Sequence, residues 1–179
     1  QFQGVQTKPK SPVVTGKEWD CFLAHLELLD LRDAYVMMGG SLPRGVPPDA
    51  YRQLVQRVQQ RGAKAILDAD GACLKAGITA KPFAVKPNIH ELQRAVGKPL
   101  RTDSDLLKAA TALNRKGITI VIVSLGPRGL LVVSGEGHRL PEILWAIPPA
   151  VRVRSRVGAG DSTVAGFIFR HAGGKSLED

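Results

Sequence analysis

The stretch that most constrains the fold is residues 118–124 (ITIVIVS), which are almost entirely apolar and β-branched. Such a run is typical of a central strand that is covered on both faces, because a half-exposed strand alternates apolar and polar residues. From about residue 34 onward, short apolar runs alternate with segments of helical periodicity. This alternation predicts a three-layer α/β fold, in which a mostly parallel sheet carries helices on both faces. Strand-like pieces without helices between them predict an antiparallel edge near residues 118–154.

The alternation also predicts where ligands bind. Strands are expected over 34–38, 63–67, 83–86, 118–124 and 130–134, and helices after 49 and over 72–76, 89–96, 103–115 and 161–171. Segments rich in Gly, Asp and other polar residues follow four of these strands, at 39–43, 68–71, 86–88 and 124–129. Because ligands bind beyond the carboxyl ends of parallel strands, we expect these segments to meet at one edge of the sheet.

Composition narrows the class of protein. Apolar residues make up 44% of the chain and charged residues 23%, as in an ordinary globular protein. No apolar run approaches the roughly 20 residues that cross a bilayer, so no membrane partner is expected. Cys21 and Cys73 form no Cys-x-x-Cys pair and are expected to be free thiols in a reducing compartment, which favours the cytoplasm.

The net charge of +9 favours anionic ligands. Lys and Arg are dispersed along the chain and aromatic residues amount to only 5%, so a nucleic-acid partner is not expected. A basic protein that handles small phosphorylated molecules has the same charge balance.

The four residues Gly-Ala-Gly-Asp that begin at Gly158 combine a flexible turn with an acid. Gly158, Ala159 and Gly160 could turn their amide N–H groups toward one point, since two of the three have no side chain. A helix that starts at Asp161 or Ser162 would add its positive end there. The pattern predicts an anion hole for phosphate, with Asp161 as the base that accepts a proton from the attacking group.

Two better-known glycine motifs do not fit this stretch. The dinucleotide fingerprint requires glycine where Thr163 stands, and the stretch has no Gly-Lys-Ser/Thr triplet of a Walker loop. A plain Gly-rich turn remains an alternative, with Asp161 as a helix cap or first-turn acid.

A second polar segment, Lys86-Pro87-Asn88 followed by Glu91, also allows two interpretations. Asn88 and Glu91 have the spacing of a capping box, which is a purely structural role. The same amide and carboxylate could instead hold water around a Mg²⁺ ion that is bound to nucleotide phosphates.

Four ordered motifs together resemble the ribokinase-like (PfkB) sugar kinases, and within them the phosphofructokinase branch (1-phosphofructokinase, minor 6-phosphofructokinase, tagatose-6-phosphate kinase). The motifs are Gly40-Ser41-Leu42-Pro43, Lys86-Pro87-Asn88-x-x-Glu91, Ser124-Leu125-Gly126-Pro127-x-Gly129 and Val157-Gly158-Ala159-Gly160-Asp161-Ser162. The resemblance covers nearly all of the chain from Val36 to Asp179. It implies the ribokinase-like version of the α/β fold.

The resemblance implies roles for the matching positions around the phosphates. Asp161 would be the catalytic base beside the anion hole of Gly158, Ala159 and Gly160. Lys86 and Asn88 would lie near the ATP phosphates, and Glu91, with Asn88, would organise Mg²⁺ through water.

Further positions would contact the rest of the ligands. The nucleotide would be wrapped by Ser124, Leu125, Gly126, Pro127, Arg128 and Gly129. Gly40 and Ser41, together with Asp161, would approach the sugar phosphate. Ser155 and Val157 match positions where some members hold a monovalent cation such as K⁺, although Arg156 replaces the usual Thr between them.

The activity that the resemblance implies is ATP-dependent phosphorylation of a sugar phosphate, with fructose 1-phosphate or fructose 6-phosphate converted to fructose 1,6-bisphosphate. The alternative is a non-catalytic nucleotide-binding module of the same fold. By comparison with the family, residues 1–14 would be a remnant of a lid strand, and residues 15–179 a partial domain that carries the ATP site. The full-length protein is expected to form a homodimer, and this shorter chain to have weak or no kinase activity.

Overall fold

Six strands form one sheet in which the spatial order follows the order in the sequence, β1-β2-β3-β4-β5-β6. The computed structural model describes residues 12–135, 140–150 and 157–176. The strands are β1 Tyr35–Gly39, β2 Lys64–Asp68, β3 Ala84–Val85, β4 Ile120–Ser124, β5 Leu130–Ser134 and β6 Glu142–Ala146. Strands β1 to β4 pair in parallel, while β4–β5 and β5–β6 are antiparallel. The predicted mostly parallel sheet with an antiparallel edge is confirmed, and residues 136–139 and 151–154 of that predicted edge lie outside the described residues.

Six α-helices accompany the sheet in the described part of the chain. They are α1 Gly16–Leu26, α2 Ala50–Gln60, α3 Gly71–Ile78, α4 Ile89–Val96, α5 Asp103–Arg115 and α6 Ala159–Ala172. The predicted bounds of α4 and α5 are confirmed, because capping boxes at Asn88 and Thr102 mark both starts. Helix α1 was not predicted, although its own Thr15–Glu18 capping box can be read from the sequence.

The strands alternate their side chains between two separate cores. Ala65 and Leu67 of β2 point to the larger core, which contains buried residues of α1 to α5. Ile66 points to the opposite face and packs in a smaller cluster with Val164 of α6. Helices therefore lie on both faces, as predicted, with five on one side and α6 on the other.

One buried polar side chain fixes the connection into the central strand. Asn114, near the end of α5, donates from Nδ2 to the carbonyls of Ile118, Thr119 and Gly135 at 2.9 to 3.1 Å. These three bonds tie the end of α5 to the starting end of β4 and to the residue that follows β5. An apolar residue here would remove all three bonds, including the buried one to the Ile118 carbonyl, which is costly.

Of the predicted lid remnant at 1–14, only the last three residues are described. Val13 forms an isolated parallel bridge with Arg44, and Val14 N–H donates to the Arg44 carbonyl at 2.8 Å. None of the helices that the structure describes is long and apolar enough to cross a membrane.

Candidate active site

The carboxyl ends of the parallel strands meet at one edge of the sheet, as the sequence predicts. Gly39 at the end of β1 is in register with Asp68 at the end of β2, and Gly40 N–H donates to the Asp68 carbonyl at 3.1 Å. Further along the edge, Asn88 forms a bridge with Ser124 at the end of β4. The polar segments that follow these strands are therefore neighbours in space.

A tyrosine hydroxyl holds the turn after β1 by hydrogen bonds to its main chain. The Tyr51 hydroxyl donates to the carbonyls of Gly39 and Gly40 at 2.7 and 3.0 Å. Burial raises the pKa of Tyr51, so its hydroxyl stays protonated and can donate. Gly40 has φ +85°, a conformation that favours glycine, and the next residue, Ser41, is exposed at the edge. The assignment of Gly40 and Ser41 to the sugar phosphate stays a prediction.

Beneath this edge lies an ion pair that links two neighbouring strands. Lys86, directly after β3, is only 5% exposed, and its Nζ lies 3.0 Å from Oδ2 of Asp68, at the end of β2. A buried ammonium group requires such a partner, since its desolvation is otherwise costly. Lys86 was expected near the phosphates, whereas no role was predicted for Asp68. A lone acid at a strand end has no distinguishing pattern until the neighbouring strand brings a lysine beside it.

Helix α6 begins earlier than predicted. Gly158, in the left-handed region at φ +78°, is the N-cap, and the helix starts at Ala159 instead of Asp161 or Ser162. Glycine makes this possible, because it turns the chain into the helix within one residue. Ser162 N–H donates to the Gly158 carbonyl at 2.9 Å, so the amides of the three residues between them precede the first intrahelical bond. The first-turn amides are thus those of 159–161, one residue later than the predicted trio of 158–160.

Asp161 is the third residue of α6, and its side chain is exposed. Of the structural alternatives, the helix-cap role is wrong, because the N-cap is Gly158; the first-turn position is the one observed. An acid in the first turn interacts favourably with the helix dipole. Within the described residues the Asp161 carboxylate has no side-chain hydrogen bond or ion pair, so it is open to a ligand. Its role as the base stays a prediction.

The first turn of α6 lies over the Asp68–Lys86 pair. A Cβ atom added to Gly160 would lie 3.2 Å from Lys86 Nζ and 3.5 Å from Asp68 Oδ2. The positive helix end and the lysine ammonium are therefore neighbours, which is an arrangement suited to a phosphate.

Asn88 and Glu91 form the capping box that was one of the two interpretations. Asn88 Oδ1 accepts from the amides of His90 and Glu91 at 2.9 and 3.0 Å, and Glu91 Oε2 accepts from the Asn88 amide at 2.8 Å. The box occupies one carboxylate oxygen of Glu91 and leaves Oε1 for a water molecule. No cluster of three or more His, Cys, Asp or Glu side chains within the described ranges could hold a metal alone. The side chains present fit a Mg²⁺ ion that takes most of its ligands from phosphate and water.

The loop after β4 is a single 3₁₀ turn, Gly126–Arg128. Leu125 N–H donates to the Gly129 carbonyl at 2.8 Å. Gly129 has φ +88°, and a side chain at this position would collide with the Ala146 carbonyl. The Leu125 side chain is buried in the core, so this residue could contact a nucleotide only through its main chain. Gly126 and Pro127 are exposed, and Arg128 is paired with Asp103 of α5. These contacts within the chain do not test the predicted binding of the nucleotide by residues 124–129, which stays a prediction.

The predicted monovalent-cation site is only partly described. Ser155 and Arg156 lie outside the described residues. Val157 is exposed and directly precedes the N-cap of α6.

Comparison with known proteins places this geometry in a family. Residues 13–179 match the pfkB family carbohydrate kinases. The chain is 39% identical over 169 residues to the 1-phosphofructokinase of Haemophilus influenzae, covering 94% of this chain and 50% of the relative. It is 40% identical over 157 residues to the 1-phosphofructokinase of Escherichia coli K12, covering 87% and 48%. The chain thus spans about half the length of these curated relatives.

Solved structures of phosphofructokinase-2 from Escherichia coli have the same fold. They include a potassium complex, a tetrameric inhibited form and a fructose-6-phosphate complex, with TM-scores of 0.82 to 0.84 and identities of 32 to 34%. Each match covers 93% of this chain and 52 to 53% of the solved chain. The family match, which extends over more than nine-tenths of the sequence, agrees with the sheet topology and with the four ordered motifs. The chain therefore belongs to the pfkB family of carbohydrate kinases.

Proposed function

We propose that this chain carries the ATP site and the catalytic base of a sugar-phosphate kinase. The observation that carries the proposal is the position of Gly160, within contact distance of the Asp68–Lys86 pair, at the edge where four strand ends meet. A buried ammonium group and the positive end of a helix converge there, beside an exposed carboxylate at Asp161. Anion stabilisation and proton removal are the two functions that phosphoryl transfer to an alcohol requires.

In the proposed reaction, the acceptor hydroxyl oxygen forms a bond to the γ-phosphorus of ATP. The bond from that phosphorus to the β–γ bridging oxygen breaks, ADP leaves, and the hydroxyl proton goes to Asp161. The transition state is loose, so positioning and charge stabilisation contribute most of the catalysis. The first-turn amides of α6 and the Lys86 ammonium would stabilise the charge on the transferred group.

Mg²⁺ would neutralise part of the triphosphate charge, and Glu91 is the side chain proposed to hold its water shell. Lys86 and Asn88 would flank the phosphates, and residues 124–129 would contact the nucleotide. A monovalent cation near Ser155 and Val157 is proposed because a potassium complex exists for phosphofructokinase-2 of E. coli.

The proposed acceptor is a phosphorylated ketohexose. Two kinds of relative support it: proteins named 1-phosphofructokinase, and a phosphofructokinase-2 solved with fructose-6-phosphate. Gly40 and Ser41 are proposed to approach the sugar phosphate, because their turn lies beside Asp68. Self-association in the full-length protein is also proposed; the tetrameric form known for phosphofructokinase-2 makes the oligomeric state a quantity to measure.

The test is a phosphotransfer assay on the full-length product of the gene that encodes this chain, with the 179-residue chain in parallel. Fructose 1-phosphate, fructose 6-phosphate and tagatose 6-phosphate are compared, with ribose as the unphosphorylated control. We expect ATP-dependent turnover with a phosphorylated ketohexose, clearly above that with ribose. Binding of ATP and Mg²⁺ without transfer to any acceptor would favour the non-catalytic nucleotide-binding module instead.

A further inference from the structure

Lys86 is a buried cation whose only ion-pair partner in the described ranges is Asp68. The lysine side chain is 6% exposed and the aspartate side chain is 18% exposed. The distance from Lys86 Nζ to Asp68 Oδ2 is 3.0 Å. A buried ammonium group without a counter-ion would be strongly destabilising. Before any ligand binds, Asp68 is therefore the group that pairs with the Lys86 ammonium and orients it.

The same ammonium lies against the first turn of α6, since the Cβ position of Gly160 is 3.2 Å from Nζ. A helix N-terminus carries about half a positive charge, so a neighbouring cation is unfavourable there unless an anion compensates both. Asp68 supplies that compensation from the side of β2. Its Oδ2 is 3.5 Å from the same Gly160 position.

A phosphate that binds beside this turn would also have to interact with Lys86. It would then approach the Asp68 carboxylate, which shares the same ammonium and repels an incoming anion. Two anionic groups would thus compete for one cation. The Asp68 carboxylate would therefore weaken anion binding. A residue that binds phosphate directly, or through a metal ion, would strengthen it.

We infer that Asp68 is a positioning residue that acts as an exchangeable counter-ion for Lys86, stabilising the ammonium before binding and yielding part of that interaction to a phosphoryl group. This inference rests on the proposed ATP site. Its consequence is that removal of the Asp68 carboxylate strengthens anion binding at Lys86. The role was not visible in the sequence, because it depends on the neighbouring positions of β2, β3 and α6.

The test uses calorimetric titration of the 179-residue chain with inorganic tripolyphosphate in buffer without divalent metal. Asp68→Asn should bind tripolyphosphate about fivefold more tightly than the unmodified chain, because the competing charge is gone. The matched control is Asp70→Asn, which removes an exposed carboxylate of the same edge, paired with Arg94. That control should change the affinity by less than about twofold. Lys86→Met should weaken binding about tenfold or more, because the cation itself is lost.

Thermal unfolding supplies a second measurement. Without ligand, Asp68→Asn should melt below the unmodified chain, and tripolyphosphate should raise its melting temperature by more than it raises that of the unmodified chain. Asp68→Ser is the second variant, in case the amide does not pack. Loss of the native circular dichroism spectrum in both variants would contradict the inference, since the pair would then be purely structural.

Other outcomes separate this inference from the proposed function. Unchanged or weaker tripolyphosphate binding by Asp68→Asn, with normal binding by the unmodified chain, would overturn the counter-ion role alone. If Asp68→Asn binds tripolyphosphate more weakly than the unmodified chain only when Mg²⁺ is added, Asp68 is a metal ligand. That result would also overturn the counter-ion role. No binding of tripolyphosphate by the unmodified chain would reject both the counter-ion role and the proposed ATP site.

Discussion

The Tyr35 hydroxyl lies 2.5 Å from Nδ1 of His171 and joins the first strand of the sheet to the last turn of α6. Lys64 Nζ donates to the Tyr35 oxygen at 3.3 Å, so the hydroxyl proton is free to point to the histidine. The rings of Phe83 and Phe167 pack against the imidazole. Burial, and then the charge of Lys64, lower the pKa of His171. The opposite end of the same helix carries the Gly-Ala-Gly-Asp turn.

This contact predicts a pH dependence of stability. Because the folded chain keeps His171 neutral below its ordinary pKa of 6.5, the unfolded chain binds more protons there. The free energy of unfolding should therefore fall as the pH falls through about 6.5. Above that pH, the contribution of the neutral His171 contact to stability should be fully present. Urea unfolding of the chain at about pH 8 and about pH 5.5 measures the difference.

Two variants assign that pH dependence to the contact. His171→Asn keeps an acceptor near the Nδ1 position but does not titrate, so the fall in stability between the two pH values should shrink. The matched control, His90→Asn, changes an exposed histidine and should retain the fall seen in the unmodified chain. Equal pH dependence in His171→Asn and the unmodified chain would show that the ring is not responsible.

Glu91 offers a way to separate a structural role from a metal role. Glu91→Gln keeps a carbonyl oxygen for the Asn88 amide, and glutamine is also accepted in capping boxes, so unfolding should change by less than about 0.5 kcal/mol. If the carboxylate holds the water shell of Mg²⁺, binding of ATP with Mg²⁺ should weaken about tenfold, while metal-free ATP binding stays unchanged. Titration calorimetry with and without Mg²⁺ provides the comparison.

The control for this variant is Glu18→Gln, which makes the same change in the Thr15–Glu18 capping box of α1. It should have a similarly small effect on unfolding and no effect on ATP binding. If Glu91→Gln binds ATP with Mg²⁺ as tightly as the unmodified chain, Glu91 has only the capping role.

Gly160 tests whether the turn of α6 needs close approach to Lys86. In Gly160→Ala the new methyl group would lie 3.2 Å from Lys86 Nζ, so the ammonium would have to move by a few tenths of an ångström out of its place beside the turn. ATP affinity should fall about tenfold, although alanine favours the helix by about 0.5–1 kcal/mol. Gly166→Ala in the same helix meets nothing within 4 Å and should be stabilised without a change in affinity. Equal ATP affinity in the two variants would mean that the turn does not bind phosphate.

Elements with a local signal could be predicted from the sequence. Residues 118–124 predicted the central strand, and the capping pair of Asn88 and Glu91 marked the true start of α4. Helix α1 was missed because Trp19 and Leu23 are its only buried residues, too few for a clear periodicity.

The start of α6 was missed for a different reason. Two glycines suggest a loop, yet Gly160 is helical and only Gly158 takes the left-handed conformation. The role of Asp68 could not be predicted, since it depends on strand pairing that places it beside Lys86 and beneath Gly160. Local patterns predict helices and strands, whereas contacts between distant segments require the fold.

The most direct test of the account is the turnover of Asp161→Asn in the full-length gene product, with ATP affinity measured in parallel. Asparagine is nearly the same size and cannot accept the hydroxyl proton as a carboxylate does. We predict ATP affinity within about twofold of that of the unmodified enzyme and turnover lower by about 10²–10⁴-fold. Turnover close to that of the unmodified enzyme would contradict this prediction, because the acceptor hydroxyl would then lose its proton without a base at the first turn of α6.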